Sequence, residues 1–226
     1  MTTLVDRIGR QAPDEAPRAR ERWVLGLIGI GHYLSHFYAL VLPPLFPLLK
    51  AEFGVSYMEL GMAMMAYGVL GGIVQAPVGF LVDSLGPRRV LLCGLGLNAV
   101  AILLMGFADQ YWMLLLFAVI AGLGNSVFHP ADYAILSNII HESRLGQAYS
   151  IHTFSGFLGG ACAPLAILAL AELFDWRTAL IVSGTAGLLA LLLVASRYSV
   201  LGDRDARPPA LARGVAPPRH PSCVCC

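Results

Sequence analysis

Charge is what this chain lacks most. Only 13% of its 226 residues are Asp, Glu, Lys or Arg, against about 25% in an ordinary soluble domain. Six stretches hold no charge at all: residues 23–49, 60–82, 90–108, 110–131, 145–171 and 178–196. They are 27, 23, 19, 22, 27 and 19 residues long, and roughly 20 mostly apolar residues suffice to cross a bilayer. A soluble enzyme, a nucleic-acid binder and a disordered chain are excluded. An all-α membrane protein with six transmembrane helices is predicted.

Other scarcities narrow the class further. Lysine is nearly missing: Lys50 is the only one among 15 basic residues, an arginine bias of the kind a GC-rich, bacterial genome produces. A cleavable leader is not expected. Residues 1–22 hold four acids and five arginines, and the apolar run that follows has no small-residue cleavage site. Cysteine offers no disulfide framework. Cys93 and Cys162 stand singly inside spans as packing residues, while Cys223, Cys225 and Cys226 crowd the C-terminus.

The charges that remain give an orientation. With the N-terminus inside, thirteen arginines fall on inner segments and only Lys50 and Arg177 on outer ones. That is a strong positive-inside bias, so both termini are expected in the cytoplasm, with the chain in the cell inner membrane. The expected organisation is a cytoplasmic segment (1–22), a six-helix bundle (23–196) and a disordered cytoplasmic tail (197–226). Within 203–226, 14 of 24 residues are Arg, Pro, Ala or Gly, too polar to bury a core. This is the composition of GC-rich DNA read out of frame. That account of the Cys-Val-Cys-Cys end is preferred to a prenylation box or a metal tract.

The spans are expected near 23–49, 57–82, 90–108, 111–139, 146–174 and 178–196. Pro43, Pro44 and Pro47 should bend or fray the outer end of the first, and the fourth should run on past Pro130. Twenty-four glycines point to tight helix packing, since small residues let helices approach closely. The connections are too short for a separate catalytic domain, and no phosphate loop or nucleophile–base pair is present. No enzyme activity and no cofactor are expected.

Between spans 2 and 3 stands Gly79-Phe80-Leu81-Val82-Asp83-Ser84-Leu85-Gly86-Pro87-Arg88-Arg89. Its G-x-L-x-D-x-x-G-x-R-R spacing resembles the inter-span motif of the major facilitator superfamily of secondary transporters. Residues 23–196 resemble the N-terminal six-helix half of that fold, built from two three-helix repeats. Asp175-Trp176-Arg177 resembles the entry to the family's sixth helix, although a Trp-Arg pair is also an ordinary interfacial anchor. Gly156-Phe157-Leu158-Gly159-Gly160 with Ala163-Pro164 is a loose version of the fifth-helix motif, which helix packing explains equally well. In span 4 the family's Arg is replaced by Ala118 ahead of Gly122-Leu123-Gly124, so a proton-relay role for that Arg does not transfer. Asn125 to Tyr133, with Gly31-His32-Tyr33-Leu34-Ser35-His36, resembles the fosmidomycin-resistance-like branch, whose members export small drugs or organic solutes.

Ionisable residues inside a span are costly and are functional suspects by default. Four of the six histidines, His32, His36, His129 and His152, are such residues. Asn125, His129 and Asp132 are spaced i, i+4, i+7 and are expected on one helix face, with Pro130 as a source of distortion within it. His32 and His36 have a spacing that could hold a metal, but nothing in span 1 completes the set, and no metal is expected. Interhelical hydrogen bonding and pathway lining both remain open for these residues, and Gln75, Asn98 and Thr153 could join either.

The resemblance implies alternating access by two six-helix halves, with a small organic solute or drug carried outward, protons supplying the drive and the bilayer as solvent. It implies a cytoplasmic gate of Gly79, Asp83, Gly86, Arg88 and Arg89. The central pathway candidates are His32, His36, Asn125, His129 and Asp132. The chain is expected to be the N-terminal half of a truncated or frameshifted transporter. The alternatives are a half-size transporter pairing with itself, and a non-transporting membrane scaffold or regulatory subunit. No nucleic-acid partner is expected.

Overall fold

With no water in hydrocarbon to bond its amides, an apolar run must satisfy them internally, and helices result. The computed structural model describes residues 15–202, with side chains from Arg18 onward. Residues 1–14 of the expected N-terminal segment and residues 203–226 of the expected tail, with its three cysteines, lie outside the described residues. The order is α1 (Glu15–Ala39), a 3-10 turn (Pro43–Leu45), α2 (Phe46–Phe53), α3 (Tyr57–Leu85), α4 (Pro87–Met105), α5 (Tyr111–Asn125), α6 (Phe128–Ile139), a 3-10 turn (Glu142–Arg144), α7 (Leu145–Leu173) and α8 (Trp176–Ser196). No strand occurs among the described residues. Among the described residues six spans are long and apolar enough to cross a membrane. The first joins α1 to α2 and the fourth joins α5 to α6.

Local chemistry sets the boundaries. Ser56 and Glu59 form a reciprocal capping box at the start of α3, satisfying amides that a first turn leaves free. Gly86, at φ 86°, turns the chain between α3 and α4 in a conformation that a Cβ would strain. Asp175 caps α8 by accepting from the Thr178 amide at 2.6 Å. That bond holds the Asp175 carboxyl below its usual range, so the cap is intact at neutral pH and is lost as pH falls through the lowered value.

Helix ends shift by several residues from the sequence expectation, with α1 starting at Glu15 rather than 23, and two differences bear on the site and the tail. The fourth span breaks at Ser126–Val127, ahead of Pro130. Proline lacks an N–H and its ring collides with the carbonyl four residues back, which here belongs to Ser126. Residues 197–202, assigned above to the tail, fold against the bundle. Leu201 is only 2% exposed, Arg20 Nε donates to the Val200 carbonyl at 3.0 Å, and Arg88 and Arg197 lie over the Tyr198 and Trp23 rings.

The bundle is two three-helix repeats. α1 packs on α7 as α5 packs on α3, and α4 packs on α8 between them. A repeated local sequence stands at matching places: Leu70-Gly71-Gly72 before Ala76-Pro77 in α3, and Leu158-Gly159-Gly160 before Ala163-Pro164 in α7. The first glycine of each pair faces backbone. A Cβ on Gly71 would lie 3.3 Å from the Gly122 carbonyl oxygen, and one on Gly159 would collide with that of Tyr33.

Each end is tied by arginine. At one, Arg177 bonds Glu52 at 2.8 Å and the Ala108 carbonyl at 2.7 Å, while Trp176 is buried against Phe53. The Trp-Arg pair thus cross-links α2, α8 and the connection after α4. At the other, Arg144 forks onto both Glu21 oxygens at 2.6 and 2.7 Å, and the His141 amide donates to Glu21 at 3.1 Å. The Glu21 side chain is 9% exposed and that of Arg144 25%, which orders two substitutions. Arg144→Ala strands a largely buried carboxylate and should be the more destabilising change. Glu21→Ala leaves a guanidinium that can reach water and should cost less. Denaturant titration of the two variants and the double variant in detergent checks this order.

Candidate functional site

The four intramembrane histidines converge. His32 and His36 stand one turn apart on α1. The break before α6 brings in His129, with Asp132 and Tyr133 following it. α7 supplies His152, with Tyr149 a turn before it and Gly156 a turn after. His32 lies nine residues inside Trp23, about 13 Å along a helix, close to mid-bilayer for a core about 30 Å thick.

The geometry is close. The His32 and His152 rings stack with centroids 3.6 Å apart. His36 and His129 sit edge-on to His32 at 4.7 and 5.1 Å. Tyr133 is 5.3 Å from the His152 ring. Gly156 makes the room: a Cβ there would come within 2.8 Å of both the His32 and His36 rings.

Asp132 is wholly buried. His152 Nε2 donates to its Oδ2 at 3.0 Å, and His32 Nδ1 stands 3.7 Å from the same oxygen. With Nε2 carrying the proton, His152 Nδ1 keeps a lone pair. Among the described residues no Arg or Lys pairs with Asp132. Four buried atoms here have no hydrogen-bond partner: Asp132 Oδ1 and the Nδ1 of His32, His129 and His152. Buried polar atoms are nearly always satisfied by protein or ordered water, so this concentration sets the cluster apart as the candidate site.

Of the five pathway candidates, the structure brings together His32, His36, His129 and Asp132. Asn125 goes elsewhere. It ends α5 before the break and accepts from Asn98 Nδ2 at 3.4 Å, so the expected shared face with His129 and Asp132 does not form. His152 joins the cluster as the direct partner of Asp132. No spacing rule pairs residues on different helices, and the only sequence signal is that an ionisable side chain sits inside a span. Thr153 is exposed and Gln75 half-buried.

The motif between α3 and α4 lies apart from the cluster. Asp83 and Arg89 are exposed, and Asp83 makes no ion pair among the described residues. Arg88 is engaged with Tyr198 at 4.5 Å. An open cavity of about 770 Å³ lies at the Glu21–Arg144 end, lined by Arg18, Glu21, Arg22, Arg144, Gln147 and Ile151. Ile151 precedes His152, so the cavity reaches the residue beside the cluster.

Comparison with known proteins agrees with this architecture. A family model described as Major Facilitator Superfamily matches residues 26–221. The chain is 28% identical over 142 residues to the fosmidomycin resistance protein of Escherichia coli (strain K12), covering 63% of this chain and 35% of that protein. It is 28% identical over 210 residues to the lincomycin resistance protein of Streptomyces lincolnensis, covering 89% and 42%. A crystal structure of a bacterial homolog to the human lysosomal transporter Spinster, inward-facing and unoccupied, superposes with a TM-score of 0.73 at 16% identity. That match covers 88% of this chain and 46% of the other. The chain thus spans less than half the length of these relatives.

Proposed function

The chain belongs to the Major Facilitator Superfamily, and from that premise we propose that it forms one six-helix half of a secondary transporter. It exports a small organic solute or drug across the inner membrane by alternating access, with both termini cytoplasmic and a proton gradient as the drive. One observation carries this reading. A wholly buried Asp132 bonds His152 among three further histidines near the middle of the spans. Such a cluster is costly in a membrane and is kept where something passes. Two relatives named for drug resistance support the outward direction.

The second half finds its place on α3 and α7. Only 22% of each of these spans is buried, against 39–61% for the other four. Their exposed faces carry Met62, Met65, Phe154 and Phe157, a surface that another six-helix bundle or a second copy of this chain would cover. The gate of this reading is Asp83, Arg88 and Arg89 with Gly79 and Gly86; Asp83 and Arg89 are exposed, and Gly86 turns the chain between α3 and α4.

Fosmidomycin flux into inverted membrane vesicles tests the reading. His129→Ala and Asp132→Ala should each lower proton-driven uptake at least tenfold at equal expression. Unchanged uptake in both would remove the cluster from the pathway.

A further inference from the structure

We propose that the cluster binds one divalent d-block cation, of the zinc, cobalt or nickel kind, through His32, His129 and His152, with Asp132 as the positioning carboxylate. One ring nitrogen from each of the three histidines lies within 4.8 Å of the others. Nitrogen ligands around a tetrahedral ion at about 2.0–2.1 Å stand roughly 3.3 Å apart, so modest ring rotation closes the site. The three rings come from three helices: α1, α6 and α7. Pairing within span 1 alone therefore could not show the set.

Three further observations point to a ligand. The Nδ1 atoms of all three histidines are buried without partners, which packing or mutual hydrogen bonding would not leave. The bond from His152 Nε2 to Asp132 Oδ2 is the carboxylate–histidine arrangement that fixes a metal-binding tautomer and turns the other nitrogen outward. Asp132 is buried with no Arg or Lys beside it among the described residues, and a dication would supply the counter-charge. An all-imidazole set selects borderline metals over Mg²⁺ or Ca²⁺, which prefer oxygen. Three protein ligands leave a fourth position open. His129 is only half-buried, giving the ion a way in.

The inference does not rest on the transport reading, because binding is measured without solute. The full chain, purified in detergent as the C223S/C225S/C226S variant to remove terminal thiols, is titrated with Co²⁺. We expect one equivalent bound, with the visible d–d absorption of a four-coordinate nitrogen site, displaced by Zn²⁺. His129→Gln should weaken binding at least 100-fold, while His141→Gln, outside the cluster, changes nothing. X-ray absorption of the Zn²⁺-loaded C223S/C225S/C226S chain, which needs no histidine substitution, should show three imidazole shells. Absence of stoichiometric Co²⁺ uptake, uptake undiminished by His129→Gln, or an all-oxygen shell would each overturn the site.

Discussion

Valine in place of Gly159 leaves no folded, monodisperse chain to purify. A Cβ at that position collides with the Tyr33 carbonyl oxygen and also meets the Tyr33 Cα at 3.1 Å. Both are backbone atoms of α1, so no rotamer change relieves the contact and the helices must separate. Overpacking costs about 1–3 kcal/mol where side chains can yield, and more where they cannot. Between helices in lipid, close approach is itself a main source of attraction, so separation forfeits the α1–α7 contact that carries the histidine cluster. Neighbouring glycines grade the effect. Gly71→Val, whose Cβ would lie 3.3 Å from the Gly122 oxygen, should be destabilised but folded. Gly72→Val faces open space and should match the parent. Size-exclusion profiles and denaturant midpoints in one detergent measure all three, and a normal Gly159→Val profile would refute the close-packing account.

How much of this was legible differs between fold and site. The six spans follow from charge-free runs because the bilayer imposes one length on all of them. The turn at Gly86 follows from glycine chemistry, and a distortion at Pro130 follows from proline chemistry. The ring clash reaches back four residues, so the break belongs at Ser126–Val127 and Asn125 turns to Asn98. The site was half legible. His32 with His36 and His129 with Asp132 are visible as local spacings, but which helix meets which is a tertiary fact. In the sequence His152 is therefore one more intramembrane histidine, and its pairing with Asp132 is visible only in the fold. The matched Leu-Gly-Gly sequences in α3 and α7 mark where α3 meets the backbone of α5 and α7 that of α1, so they point to the meeting of His32 with His152 but not to Asp132.

Asp132→Asn separates what the carboxylate does for the fold from what it does for function. Asparagine keeps the shape and the side-chain oxygen that accepts from His152 Nε2, and it removes a buried charge that has no fixed cation beside it. Exchanging a buried charge for a neutral group of equal volume is commonly neutral or stabilising, so the Asn variant should unfold at or above the parent's midpoint. In the vesicle test of the proposed function uptake should fall at least tenfold, as for the Ala variant, and Co²⁺ affinity should fall by about 10–100-fold, the range for losing a carboxylate behind a metal-binding histidine. Asp132→Ala differs on stability alone. It strands the His152 N–H and should cost about 1–3 kcal/mol. If Asn retains full uptake, the charge has no part in transport and Asp132 serves only to hold His152. If Asn and Ala are equally destabilised, the charge itself, and not the hydrogen bond, holds α6 against α7.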